Sequence, residues 1–89
     1  MRIADEWNHE GIKVTAMIMN GRYSIKLETG LLEQWYKFRD GQFESVQELK
    51  SYLNDDFYKN AILVFESLMQ NRQSILKQQN DSLEFDVII

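Results

Sequence analysis

The sequence predicts an α+β fold: an antiparallel β-meander of three or four strands, followed by two C-terminal helices packed on one face of the sheet. Three observations predict it. Asn20-Gly21 lies between two runs of alternating apolar and polar residues, the strongest short signal for a two-residue hairpin turn. Gly11, Gly21, Gly30 and Gly41 punctuate the first half of the chain at intervals of about ten residues, a spacing that suits short strands. After Ser45 the apolar residues take up helical spacing instead.

The central hairpin sets the faces. With Asn20-Gly21 as the turn, Ile18 faces Tyr23, Ala16 faces Ile25 and Val14 faces Leu27. Ile12, Val14, Ala16, Ile18, Tyr23, Ile25 and Leu27 then share one face, because side chains alternate along a strand. The opposite face carries Lys13, Thr15, Met17, Met19, Arg22, Ser24, Lys26 and Glu28, with Lys13 opposite Glu28. Thr29-Gly30 reads as a second turn, leading into a strand from Leu32 to Arg39. Its more apolar set, Leu32, Gln34, Tyr36 and Phe38, is expected on the core face, which leaves Trp35 outside. A two-residue turn at Thr29-Gly30 places Trp35 opposite Ser24 and Lys26 opposite Glu33. The segment Arg2 to Asn8 is expected to close onto the hairpin through His9-Glu10-Gly11, with Trp7 near Val14 on the core side.

Ser45-Val46-Gln47-Glu48 has the pattern of a capping box, in which Ser45 caps the backbone and Glu48 reaches back to it. Val46, Leu49, Tyr52 and Leu53 give the short helix that follows an apolar side. Asn54-Asp55-Asp56 starts a second, long helix with acid at its positive end. In that helix Phe57, Tyr58, Ala61, Ile62, Val64, Phe65, Leu68, Met69, Ile75 and Leu76 fall within one arc, with Leu63 nearly opposite its centre. The tail from Leu83 to Ile89 alternates like a short strand.

Length and composition bound the function. A chain of 89 residues makes one domain, residues 1–89, and buries roughly 60–65% of its unfolded surface without staples. It has no cysteine, which excludes disulfides and thiolate metal sites. Its longest apolar run, Ala61 to Phe65, is far short of a membrane span of about 20 residues. Acid at Asp5 and Glu6 stands where a signal peptide needs an apolar stretch. A cytoplasmic protein without membrane attachment is expected. The net charge of −4 disfavours general DNA binding, but its distribution is uneven. Residues 11–39 hold five basic and two acidic residues, whereas the rest of the chain holds five basic and twelve acidic ones.

The chemistry-bearing residues do not assemble into a catalytic motif. His9 is the only histidine; beside Glu6 and Glu10 it reads as a solvated turn residue rather than a metal ligand or acid–base partner. Asp55-Asp56 reads as helix-start acid, and the glycines match no phosphate-binding loop. Neither an enzymatic activity nor a cofactor is expected. The outer sheet face is the sharp feature. Met17, Met19 and Trp35 lie there among Arg22, Lys26 and Lys37, a composition rich in interface residues. The plain alternative is that Lys and Arg stems shield the Met and Trp. The first expectation is a small protein-interaction module using this face, with a homodimer among the assemblies it allows. The alternative is a small module binding single-stranded nucleic acid, with bases stacked on Trp35 between phosphate contacts.

Overall fold

The computed structural model describes residues 1–88, with side chains through Gln79. It contains strands β1 (Arg2–His9), β2 (Ile12–Met19), β3 (Arg22–Thr29) and β4 (Leu32–Lys37), then helices α1 (Val46–Ser51) and α2 (Asp55–Ile88). The strands form one antiparallel sheet in the order β1-β2-β3-β4, so the α+β class and the four-stranded meander stand.

All three strand connections are two-residue loops, since His9 pairs with Ile12, Met19 with Arg22, and Thr29 with Leu32. Glu10 and Gly11 both have positive φ, as do Asn20 and Gly21. That is the backbone of the type I′ turns whose twist matches a hairpin. The third loop is different. It is Gly30-Leu31, with positive φ at Gly30 alone, the arrangement in which glycine takes the first central position. Trp35 therefore pairs with Lys26, Lys37 with Ser24, and Glu33 with Glu28. The expected pairing of Trp35 with Ser24, and of Lys26 with Glu33, is displaced by two residues. A displacement of two preserves the faces, so Gln34 and Tyr36 still point into the core and Trp35 still points out.

The core cluster joins Ile12 and Val14 of β2, Ile25 and Leu27 of β3, Leu49 of α1, and Tyr58, Ala61 and Phe65 of α2. Polar contacts fix the helices against the same face. The Trp7 indole donates to the Tyr58 hydroxyl at 3.0 Å, and the Gln34 amide donates to the Ala61 carbonyl at 2.8 Å. Lys50 reaches β1, with Nζ 2.9 Å from Asp5 Oδ2 and 4.4 Å from the centre of the Trp7 ring. That Lys50 hydrogen bond, with a second from the Glu6 N–H, holds the Asp5 carboxyl below its ordinary range. His9 corrects the expectation of a solvated turn residue. It closes β1, half-buried, with its ring stacked on Tyr58 at 3.7 Å, because its register partner is the buried Ile12 of the core face.

Both helix starts follow the sequence. Ser45 Oγ accepts from the Glu48 N–H at 3.1 Å, while Glu48 reaches one residue further back than a capping box requires, accepting from the Glu44 N–H at 2.9 Å. Asn54 Oδ1 accepts from the Phe57 N–H at 2.9 Å and caps α2. The apolar arc of α2 divides at Leu68. Tyr58, Ala61 and Phe65 are buried and Phe57 and Leu68 half-buried, but Ile62, Val64, Met69, Ile75 and Leu76 are exposed, contrary to the expected arc. Ile62 and Val64 flank the packed stripe on either side, so the buried arc is narrower than expected, and beyond Leu68 the cause is a mismatch of length. Eight strand residues span about 26 Å, and 34 helical residues span about 51 Å.

Phe57 meets Tyr36 edge-on and Ala61 meets Gln34, so α2 runs antiparallel to β4. It leaves the sheet at the end that carries the Glu10-Gly11 and Gly30-Leu31 loops. The long axis of the molecule is 61 Å. Residues 83–88, expected as a short strand, continue α2 as helix. Extending an existing helix gains a hydrogen bond per residue without a new nucleus. Ile89, the end of that expected strand, lies outside the described residues.

Phe65 and Leu63 test the helix phase, because the first is 5% exposed and the second 59%. Phe65→Ala is expected to cost about 3–5 kcal/mol and Leu63→Ala less than about 0.5 kcal/mol in urea melts. Equal losses would place the wrong face of α2 on the sheet.

Candidate binding face

The face of the sheet opposite the helices is organised from β1 to β4 by Ile3, then Thr15, Met17 and Met19, then Arg22, Ser24 and Lys26, and finally Glu33, Trp35 and Lys37. The register brings the six expected site residues onto one surface, but not into one role. Met17 is 7% exposed, so it is not the open contact residue expected. It sits in the second strand with Ile3 beside it on β1 and Ser24 beside it on β3, and neighbours on both sides remove it from solvent. Met19 and Trp35 remain 49% and 44% exposed.

Trp35 is held in place without being covered. Its indole N–H donates to Glu33 Oε2 at 3.0 Å, and Lys26 Nζ stands 5.5 Å from the ring centre. The register sets the like charges Glu28 and Glu33 opposite one another. Each is offered its own partner, since Lys26 Nζ lies 3.2 Å from Glu28 Oε1 while Glu33 takes the indole proton. Lys13 lies opposite Glu28 as expected, while its ammonium reaches Glu6 on β1 at 3.2 Å. The Lys26 ammonium thus stands over the Trp35 ring, and nearly half of Trp35 stays accessible.

Near the Asn20-Gly21 end, the face opens into a groove of about 590 Å³. Met19, Arg22, Trp35 and Lys37 line it, together with Met1, Tyr23, Ser24 and Phe38. A second hollow runs on from Arg22, Lys37 and Phe38 to Arg39, Asp40 and Gln42. Three cations and one carboxylate therefore rim an apolar floor. Tyr23 and Phe38 belong by alternation to the core face, and sequence reasoning did not place them at the groove. Phe38 lies just beyond β4, and its N–H donates to the Tyr23 carbonyl at 3.1 Å. Strand alternation ends at that point, leaving no periodic signal to follow.

The rest of the described surface offers less. Among the described residues no three His, Asp or Glu side chains gather as a metal site, and no helix is long and apolar enough to cross a membrane. No family model, no curated protein and no solved structure matches the chain.

Adjacent residues of β4 report the two faces. Gln34 is 6% exposed, donates to the Ala61 carbonyl and accepts the Tyr36 hydroxyl proton at 2.7 Å. Gln34→Ala is expected to cost about 1–3 kcal/mol through the buried hydrogen bonds it strands. Trp35→Ala is expected to change the unfolding free energy from urea melts by less than about 0.5 kcal/mol. The reverse order would mean that β4 is slipped by one residue.

Proposed function

We propose that the protein is a small non-enzymatic interaction module whose open sheet face docks an acidic, apolar polypeptide segment. The single observation that carries this reading is the groove in which exposed Trp35 and Met19 stand beside Arg22 and Lys37. Trp is the residue type most enriched at binding hot spots, Met adapts to irregular surfaces, and Arg is over-represented at interfaces. A pre-formed sheet supplies a rigid platform, so ordering the face on binding costs little. The cations select for carboxylates and suppress basic partners. In this reading Met17 acts as packing beneath Met19 and Trp35, and Lys26 steadies the Trp35 ring.

Nucleic acid is the competing ligand for a Trp between cations. The face also carries Glu6, Glu28 and Glu33, which oppose a phosphate backbone running its whole length. That mixture of signs favours a polypeptide of mixed charge.

The test uses a fluorescent peptide alternating Glu with Leu and Phe, and a labelled oligothymidylate of 20 nucleotides, titrated by anisotropy. The parent is expected to bind the peptide, with Trp35→Ala weakening it at least about tenfold, the loss of a 1.4 kcal/mol anchor or more. Binding of the oligonucleotide alone, falling steeply with salt, would overturn the polypeptide reading.

A further inference from the structure

We infer that β4 is a pairing edge: two copies of the chain join β4 to β4 about a two-fold axis at Trp35, making one continuous sheet from their two four-stranded sheets. This pairing uses the edge of the sheet and is independent of docking on its open face.

The two edge strands, β1 and β4, differ. On β1 the register shifts between Ile3 and Asp5, and the Asp5 carboxylate takes the Glu6 N–H at 2.8 Å. An irregular register and a spent donor blunt that edge. By contrast β4 pairs regularly from Leu32 to Lys37 and has no proline. Leu32 closes a two-residue loop opposite Thr29, and the Phe38 N–H donates to the Tyr23 carbonyl at 3.1 Å. The even residues of β4 therefore bond to β3, and Glu33, Trp35 and Lys37 turn their N–H and C=O groups to the free edge. Among the described residues no backbone group bonds to them there.

Charge decides which strand fits. Glu33 and Lys37 are exposed on either side of exposed Trp35. A two-fold axis at Trp35 sets Glu33 of each copy opposite Lys37 of the other and Trp35 opposite Trp35. Residues 33–37 of β4 are then all paired, and the outward groups exchange about six hydrogen bonds. Centring on Glu33 or Lys37 instead sets like charges face to face. Centring on Gln34 leaves Glu33 opposite Trp35 and Lys37 opposite Leu31, without an ion pair. Centring on Tyr36 pairs only residues 35–37, because the strand ends at Lys37. A charged edge repels most strands, and this one is matched by its own copy.

The same pairing sets Leu32 beside Phe38 of the other copy and Gln34 beside Tyr36, covering Leu32, Tyr36 and Phe38, which are half-buried in the single chain. Because α2 meets β4 through the core-face residues Gln34 and Tyr36, the two copies keep their helices on one side of the joined sheet. Exposed Asn60 and Val64 lie on the side of α2 toward this edge, where the second copy's α2 comes alongside in the antiparallel direction. Both outer faces stay open.

The test reads mass by sedimentation and register by cross-linking, in the full chain. The parent is expected at twice the 10.6 kDa of one chain at high micromolar concentration. Glu33→Lys sets lysine opposite Lys37 at both ends of the pairing, and Lys37→Glu sets glutamate opposite Glu33. Each variant alone is expected to dissociate at least about tenfold more readily than the parent, with its helical content retained. An equimolar mixture is expected to recover the dimer, because every charge pair across the mixed dimer is again Glu with Lys. Since the chain has no cysteine, Glu33→Cys and Lys37→Cys chains supply a second readout. Opposed residues of a bonded pair have Cα atoms about 5.5 Å apart, within disulfide range. The two chains mixed are expected to form disulfide-linked dimers under mild oxidation. Either chain alone, with its cysteines about 13 Å apart across the two-fold axis, is not. A monomeric parent, a charge-reversed variant as dimeric as the parent, or cross-linking as strong in one chain alone as in the mixture would overturn the edge pairing.

Discussion

The rest of the structure depends on the length of three loops. Each connection in the meander uses two residues, and two of the three hold both of them in the left-handed region. With two-residue loops each inward residue faces one of opposite parity on the next strand, so the inward set is even on β2, odd on β3 and even again on β4. Val14, Ala16, Ile25, Leu27, Gln34 and Tyr36 fall inward together as a consequence. A slip of one residue in the pairing of any strand would exchange its two faces. The chain meets the backbone demand with Gly at the second loop position twice and at the first position once. At Gly21 the positive φ sets the demand, because the one close neighbour of an added Cβ is the carboxylate of exposed Asp40, which can move aside.

Much of this was legible in the sequence, and the misses have definite causes. Asn20-Gly21 flanked by alternation gives the hairpin and both its faces. Ser45 and Asn54 mark helix starts because their side chains offer acceptors to free backbone N–H groups. The β4 register was two residues off because Gly30 opens its loop where Gly11 and Gly21 close theirs, and the two cases share a composition. Met17 lies on the face expected but is buried, because β1 lies against β2 and occupies its other side. Nothing within the hairpin shows that. The arc of α2 marks the side that seeks a core, and it carries no information on where the sheet ends. Met69, Ile75 and Leu76 extend the arc into solvent for that reason. The tail's alternation was read as a strand, whereas its local context is an existing helix that extends readily. The groove residue Phe38 lies just beyond β4, where strand alternation stops, and Tyr23 on β3 is assigned by that alternation to the core face.

Two consequences join at the outer face. A small sheet with both helices against one side leaves the other side to its own side chains, and here that side is only partly self-sealed. Lys26 covers part of Trp35, Lys13 and Glu6 bridge the first two strands, and Thr15 and Met17 are buried beneath. The groove end keeps Trp35, Met19 and the cations accessible. A helix longer than its sheet presents a second accessible apolar strip at the far end.

The central claim is that Trp35 stands free in the single chain and is covered by what docks there. Acrylamide quenching of the Trp7→Phe chain, in which Trp35 is the sole tryptophan, tests it most directly when followed as the peptide of alternating Glu, Leu and Phe is added. The account predicts ready quenching of the free chain and increasing protection as the peptide binds. A Trp35 already shielded in the free chain, or equally quenched at every peptide concentration, would contradict it.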